Sequence, residues 1–171
     1  MKMLKLFKII FVLNAFLLMS GCGVYGFRGN NPPKGINTLA VPTAEDISGF
    51  SAPTLPETFT ERLKIRITTD NTFKIADKNI SDGVLNCTIT SVTDEASVIA
   101  TGDNVTQRKL TITIKVSFDD LKKQKQIWEK NFQNYGEYAS NGNDFSNRES
   151  GVAIAIEKIA EDIVIDLTSN W

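Results

Sequence analysis

The stretch KLTITIKVSF, Lys109 to Phe118, alternates polar and apolar residues without a break. Successive strand side chains point to opposite faces, so Leu110, Ile112, Ile114, Val116 and Phe118 share one face. Lys109, Thr111, Thr113, Lys115 and Ser117 share the other. Such a strand belongs to a sheet covered on one side and wet on the other, a habit of antiparallel sheets. The residues that follow complete a hairpin: 119–125 read as a polar turn and 127–135 as the returning strand.

Upstream, residues 83–92 read as another long strand with Leu85, Cys87 and Ile89 on one face, followed by a loop over 94–103. Shorter strands are expected at 36–41, stopped by Pro42, and at 73–76. Thr54-Leu55-Pro56-Glu57 has capping-box spacing, and Leu55, Phe59, Leu63 and Ile67 follow at every fourth position. That pattern predicts an amphipathic helix to about Thr68. After a loop over 136–143, Ser146-Asn147-Arg148-Glu149 repeats the capping-box spacing. Val152, Ala155, Ile156, Ile159, Ala160, Ile163 and Leu167 then form the inward stripe of a helix running nearly to Trp171. The expected class is α+β, with two amphipathic helices packed on one face of a small mixed, largely antiparallel sheet of about four strands.

The N-terminus carries a different signal. Lys2, Lys5 and Lys8 precede an apolar run from Ile9 to Met19, broken only by Asn14, which ends at Ser20-Gly21-Cys22. A charged, an apolar and a small-residue block in that order make a secretory signal. The run is short of the roughly 20 apolar residues a permanent span needs. Met19-Ser20-Gly21-Cys22 has the form of a bacterial lipobox, in which the cysteine thiol takes a diacylglyceryl group and becomes the mature N-terminus. The alternative is a cleaved soluble protein with Cys22 near the cut by chance. Each buried methylene contributes about 0.8 kcal/mol to membrane attachment, so several acyl chains on Cys22 would hold the protein firmly. The expected division is residues 1–21 as signal, 22–35 as lipidated N-terminus and tether, and 36–171 as a single domain.

Removing 21 of the 171 residues leaves 150, the size of one domain with a real core. Three of the 19 basic residues leave with the signal, so 16 face 20 acidic residues, a net charge of −4. That balance argues against a nucleic-acid partner. With Cys22 acylated, Cys87 is the remaining cysteine; it is expected in the core, and no intramolecular disulfide is possible. Histidine is absent, which removes the commonest general base and metal ligand. The nucleophile-elbow, Cys-x-x-Cys, zinc-protease and phosphate-loop patterns are absent too, so no catalytic residue, metal or cofactor is expected. The one adjacent Asp pair, Asp119-Asp120, reads as a solvated turn.

Two surface features remain. Lys122, Lys123 and Lys125 form the densest basic cluster, either an anion site for lipid phosphates or a solvated turn; the turn is the expected reading. On the last helix, Ile154 and Ile165 lie within about 20° of each other and roughly opposite the inward stripe. They are candidate contacts for a partner.

Several local patterns coincide with one family. The mature start Cys22-Gly23-Val24-Tyr25-Gly26-Phe27-Arg28-Gly29 resembles the opening of LptE lipoproteins. INTLAVP at 36–42, LTITIKVSFDDLK at 110–122, IWEK at 127–130 and the final Asn170-Trp171 are similar to that family in the same order. The resemblance implies two helices on a small mixed sheet and an anchor in the inner leaflet of the outer membrane. It also implies a β-barrel partner, LptD, with which lipopolysaccharide is inserted into the outer leaflet. The family hairpin often has glycine where this chain reads Lys122-Lys123-Gln124-Lys125. Some members carry a basic residue for lipopolysaccharide contact where this chain reads Ser97-Val98-Ile99-Ala100-Thr101-Gly102, so that role is not carried over. The competing expectations are a non-enzymatic lipoprotein scaffold of another envelope or secretion complex, and a lipoprotein enzyme built on scattered carboxylates.

Overall fold

The computed structural model describes residues 33–100, 104–140 and 144–169. In chain order the elements are β1 (Thr38–Ala40), β2 (Glu45–Asp46), α1 (Leu55–Asp70), β3 (Lys74–Ile75), β4 (Gly83–Ala100), β5 (Asn104–Asp120), β6 (Lys125–Ala139) and α2 (Asp144–Ser169). The class is α+β, but the sheet has six strands rather than about four, in the order β3-β1-β4-β5-β6 with β2 also paired to β4. The β1–β3, β1–β4 and β2–β4 pairs are parallel, and β4–β5–β6 is an antiparallel meander.

The alternating stretch behaves as its pattern requires. Leu110, Ile112, Ile114, Val116 and Phe118 are fully buried. They join one core with Leu55, Phe59, Leu63 and Ile67 of α1 and Ala155, Ile156, Ile159, Ala160, Ile163 and Leu167 of α2. α2 lies against β5 and β6, while α1 lies against α2 and β3. Cys87 is buried and free, and burial pushes its thiol up to about 12, which leaves it neutral and inert.

The strands run further than the alternation suggested. β4 continues through most of the expected 94–103 loop, pairing Asp94 with Leu110 and Ala100 with Asn104. A register shift between Ile89 and Ser91 moves the core face from Leu85, Cys87 and Ile89 to Val92 and Asp94, so one strand reads as two unrelated patterns. β6 likewise extends through Gly136 to Ala139, into the expected 136–143 loop.

The first helix starts where its capping box put it, with Thr54 at the N-cap, whereas the second starts earlier than its box. Thr54 makes no side-chain cap bond, and Pro56 serves the first turn instead. α2 begins at Asp144, two residues before Ser146. α1 ends at Asn71, whose φ of 60° is left-handed and whose N–H bonds the Ile67 and Thr68 carbonyls. Gln124 takes φ 51° in the β5–β6 turn, the conformation glycine favours, at the position where the family hairpin often has glycine.

Asp82 ties three elements together. Its Oδ2 accepts the N–H of Asn37 at 2.7 Å and of Thr38 at 3.0 Å. Its own N–H donates to Thr38 Oγ1 at 2.9 Å. Its carbonyl accepts Leu121 N–H at 2.9 Å, and its Oδ1 pairs with Lys122 Nζ at 2.5 Å. The start of β1, the start of β4 and the β5–β6 turn therefore meet at one carboxylate.

Candidate functional site

The basic turn is less free than its sequence implies. Lys122 is committed to Asp82, and Lys123 Nζ pairs with Asp120 Oδ2 at 3.1 Å. Asp120 is not a solvated turn residue: it is 5% exposed, and its Oδ1 accepts the Lys123 backbone N–H at 2.9 Å. That backbone bond, ahead of the lysine side chain, holds its carboxyl below the usual range. Lys125 has no carboxylate partner among the described residues, so one of the three lysines is uncommitted. The cluster does not extend to Arg108 and Lys109, which sit at the other end of β5.

The outer side of α2 is bounded by polar pairs on both flanks. Toward α1, Glu157 meets Arg62 at 3.2 Å and Glu161 meets Arg66 at 2.5 Å. Toward β6, Asp166 takes Lys130, Asp162 accepts Asn134 Nδ2, and Lys158 Nζ donates to the Tyr135 carbonyl at 2.9 Å. Lys158 also lies 4.6 Å from the centre of the Tyr135 ring. Exposed ion pairs are each worth under about 1 kcal/mol, so they border the outward face while the buried stripe of Ala155, Ile156, Ile159 and Ile163 sets it. Ile154 and Ile165 remain on that face, 40% and 55% exposed.

At the far end of the hairpin a clasp closes the core. Arg108 Nε donates to Asp94 Oδ1 at 2.9 Å and to Tyr138 Oη at 3.1 Å, while Tyr138 Oη donates to Asp94 Oδ2 at 2.6 Å. The Asp94 carboxylate raises Arg108, and burial, seconded by Asp94, raises the Tyr138 phenol. Both groups keep their protons at neutral pH and donate them to Asp94, so the three side chains form a mutual hydrogen-bond lock. Tyr138 also seats α2, because a Cβ added at Gly151 would lie 2.8 Å from Tyr138 Cδ1. Among the described residues, no three of the Asp, Glu and Cys side chains converge as metal ligands.

The lipidation candidate, Cys22, lies outside the described residues. Sequence reasoning passed over Asp82, the Asp94–Arg108–Tyr138 clasp and Gly136. Of these only Gly136 carried a readable sign, since glycine inside a strand marks a close backbone approach.

A family model described as LptE, Lipopolysaccharide-assembly, matches residues 36–167. A comparison with curated proteins finds no match. Among solved structures, protein CT253 of Chlamydia trachomatis superimposes with a TM-score of 0.58 at 12% identity, covering 77% of this chain and 95% of its own. A minor lipoprotein of Acinetobacter baumannii gives 0.50 at 14% identity, covering 75% and 90%. The PelC dodecamer subunit of Paraburkholderia phytofirmans gives 0.52 at 8% identity, covering 81% and 93%. At these identities the likeness shows a shared fold.

Proposed function

The chain belongs to the LptE lipopolysaccharide-assembly family, and on that footing we propose that it is a lipid-anchored, periplasm-facing outer-membrane lipoprotein. It pairs with an LptD-like β-barrel and assists the insertion of lipopolysaccharide into the outer leaflet. The observation that carries this reading is the extent of the family match, which runs from Ile36 into the last turns of α2 and takes in the whole sheet. The role is non-enzymatic: the protein contributes surfaces and position, not a reaction centre. The basic turn has a structural part, because two of its three lysines are held by carboxylates.

Affinity purification of the full chain from detergent-solubilised outer membranes tests the pairing. A large β-barrel is expected to co-purify and to be identified by mass as LptD-like. A different envelope complex in its place would assign the chain to the scaffold role instead.

We assign the barrel-facing surface to the outer side of α2. The double substitution Ile154→Glu and Ile165→Glu is expected to lower barrel recovery at least tenfold, since buried apolar anchors dominate interface energy. Both side chains are exposed in the free chain, so the melting temperature should move by no more than a few degrees. Full barrel recovery by the double variant would place the contact elsewhere.

The anchor has its own test. Cys22→Ser is expected to abolish incorporation of labelled palmitate and to leave the precursor uncleaved. Labelling that persists in this variant would remove Cys22 from the anchor.

A further inference from the structure

A cleft of about 330 Å³ opens between residues 50–54, the start of α1 and the first turns of α2. Phe50, Leu55, Phe145, Val152 and Ala153 line it, together with the charged Arg148 and Glu149. Leu55 belongs to the core, whereas Phe145 is 72% exposed. A chain laid between that ring and the hollow would remove apolar surface from water at a gain of about 25 cal/mol per Å². The volume falls at the small end of ligand pockets, and the lining has their usual composition of apolar walls with one or two placed charges.

Arg148 gives the cleft its polarity. Arg62, Arg66 and Arg108 are each paired with a carboxylate, of Glu157, Glu161 and Asp94. Arg148 has no carboxylate partner among the described residues. Its guanidinium lies 4.8 Å from the centre of the Phe50 ring, and Nη2 makes a long 3.4 Å hydrogen bond to the Ser51 carbonyl. The ring contact and this one bond use few of the five guanidinium donors, so the others are available to a planar or tetrahedral anion. Glu149 opposes an anion here, so the headgroup must sit on the Arg148 side.

We infer that this cleft binds a single-chain anionic amphiphile. The alkyl chain lies among Phe50, Phe145 and Val152, and a carboxylate or phosphate monoester headgroup sits on Arg148. The inference goes beyond the assembly role and does not rest on it: the cleft is formed by this chain alone.

The test is photolabelling of the full chain in isolated membranes with dodecanoic acid carrying a diazirine at its tail. Adding the probe to membranes rather than to growing cells keeps it from being built into the lipid anchor. Labelled peptides are expected to contain residues 50–58 and 145–153. Ala153→Phe, which fills the cleft from its exposed wall, should lower that labelling at least tenfold; Thr58→Phe fills it from the opposite wall and should do the same. Arg148→Gln should lower it about tenfold, the usual worth of a hydrogen bond to a charged group, while Arg148→Lys keeps part of it. The uncharged alcohol analogue should label wild type no better than the acid labels Arg148→Gln. Competition by unlabelled dodecanoate against dodecyl phosphate assigns the headgroup to whichever displaces the probe at lower concentration. Cleft labelling that survives both filling substitutions, in variants with wild-type protease resistance, would overturn the inference. So would label spread over the surface without dependence on Arg148, or displacement by inorganic phosphate alone.

Discussion

Gly136→Ala is expected to destabilise the protein by about 3 kcal/mol or more, at the upper end of what overpacking costs. The added Cβ would lie 2.0 Å from the Gly151 carbonyl oxygen and 2.8 Å from its carbonyl carbon. Both atoms are backbone, and both residues are buried where the first turns of α2 cross β6. No rotamer change can relieve such a clash. Either β6 or α2 must move, and α2 is held by Ala155, Ile156, Ile159 and Ile163, all fully buried. Gly151→Ala should cost less, about 1 to 2 kcal/mol, because its Cβ meets a side chain, Tyr138, that can shift at the expense of the clasp. Urea unfolding monitored by circular dichroism checks both, and a Gly136→Ala midpoint close to wild type would mean the helix does not sit this near the strand. The consequence for function is positional, since this contact sets where Ile154 and Ile165 project.

The second large effect is expected at Asp82. Asp82→Ala strands the N–H groups of Asn37 and Thr38 at a site where the aspartate is 9% exposed. Hydrogen bonds to a charged acceptor are worth about 1.5–3 kcal/mol each, so a loss of about 3 kcal/mol is expected after discounting the exposed Lys122 pair. The same carboxylate gives a pH signature. Lys122, followed by the Asn37 and Thr38 amides and opposed by burial, holds Asp82 well below its usual value. The folded form therefore binds this proton less readily than the unfolded chain. Its stabilisation is fully present above the ordinary carboxylate range and is lost as pH falls from about 4 toward the depressed folded value. Asp120 is shifted the same way and adds to the loss. Asp82→Asn should accordingly lose less stability between pH 6 and pH 3 than wild type does, whereas equal losses would assign the acid sensitivity to other carboxylates.

How much of this was legible in the sequence depends on how far apart the partners lie. The β5 alternation was readable because its period is local, and it located both the core face and the hairpin. The same held for the helical stripes of α1 and α2 and for the outward phase of Ile154 and Ile165. β4 was half legible: its register shift breaks the alternation, and Asp94 on the core face reads as loop until Arg108 and Tyr138 are seen to satisfy it. Asp82 was invisible, since the amides that claim it are 45 and 44 residues away. The cleft was invisible for a related reason: Phe50 and Arg148 meet only when residues 50–54 fold against α2. The first capping box located its helix start at Thr54 even though the side-chain bond is not made, whereas the second shows the converse error, a local signature that the start at Asp144 did not use.

The role proposed for the chain is lipopolysaccharide assembly at the outer membrane. Its most direct test is depletion of the protein in its own cells, followed by measurement of lipopolysaccharide accessible to a surface reagent that does not cross the outer membrane. If that role holds, surface lipopolysaccharide falls as the protein is depleted, newly made lipopolysaccharide is retained on the inner side, and Cys22→Ser fails to restore it. Surface lipopolysaccharide that stays at the wild-type level through full depletion would contradict it.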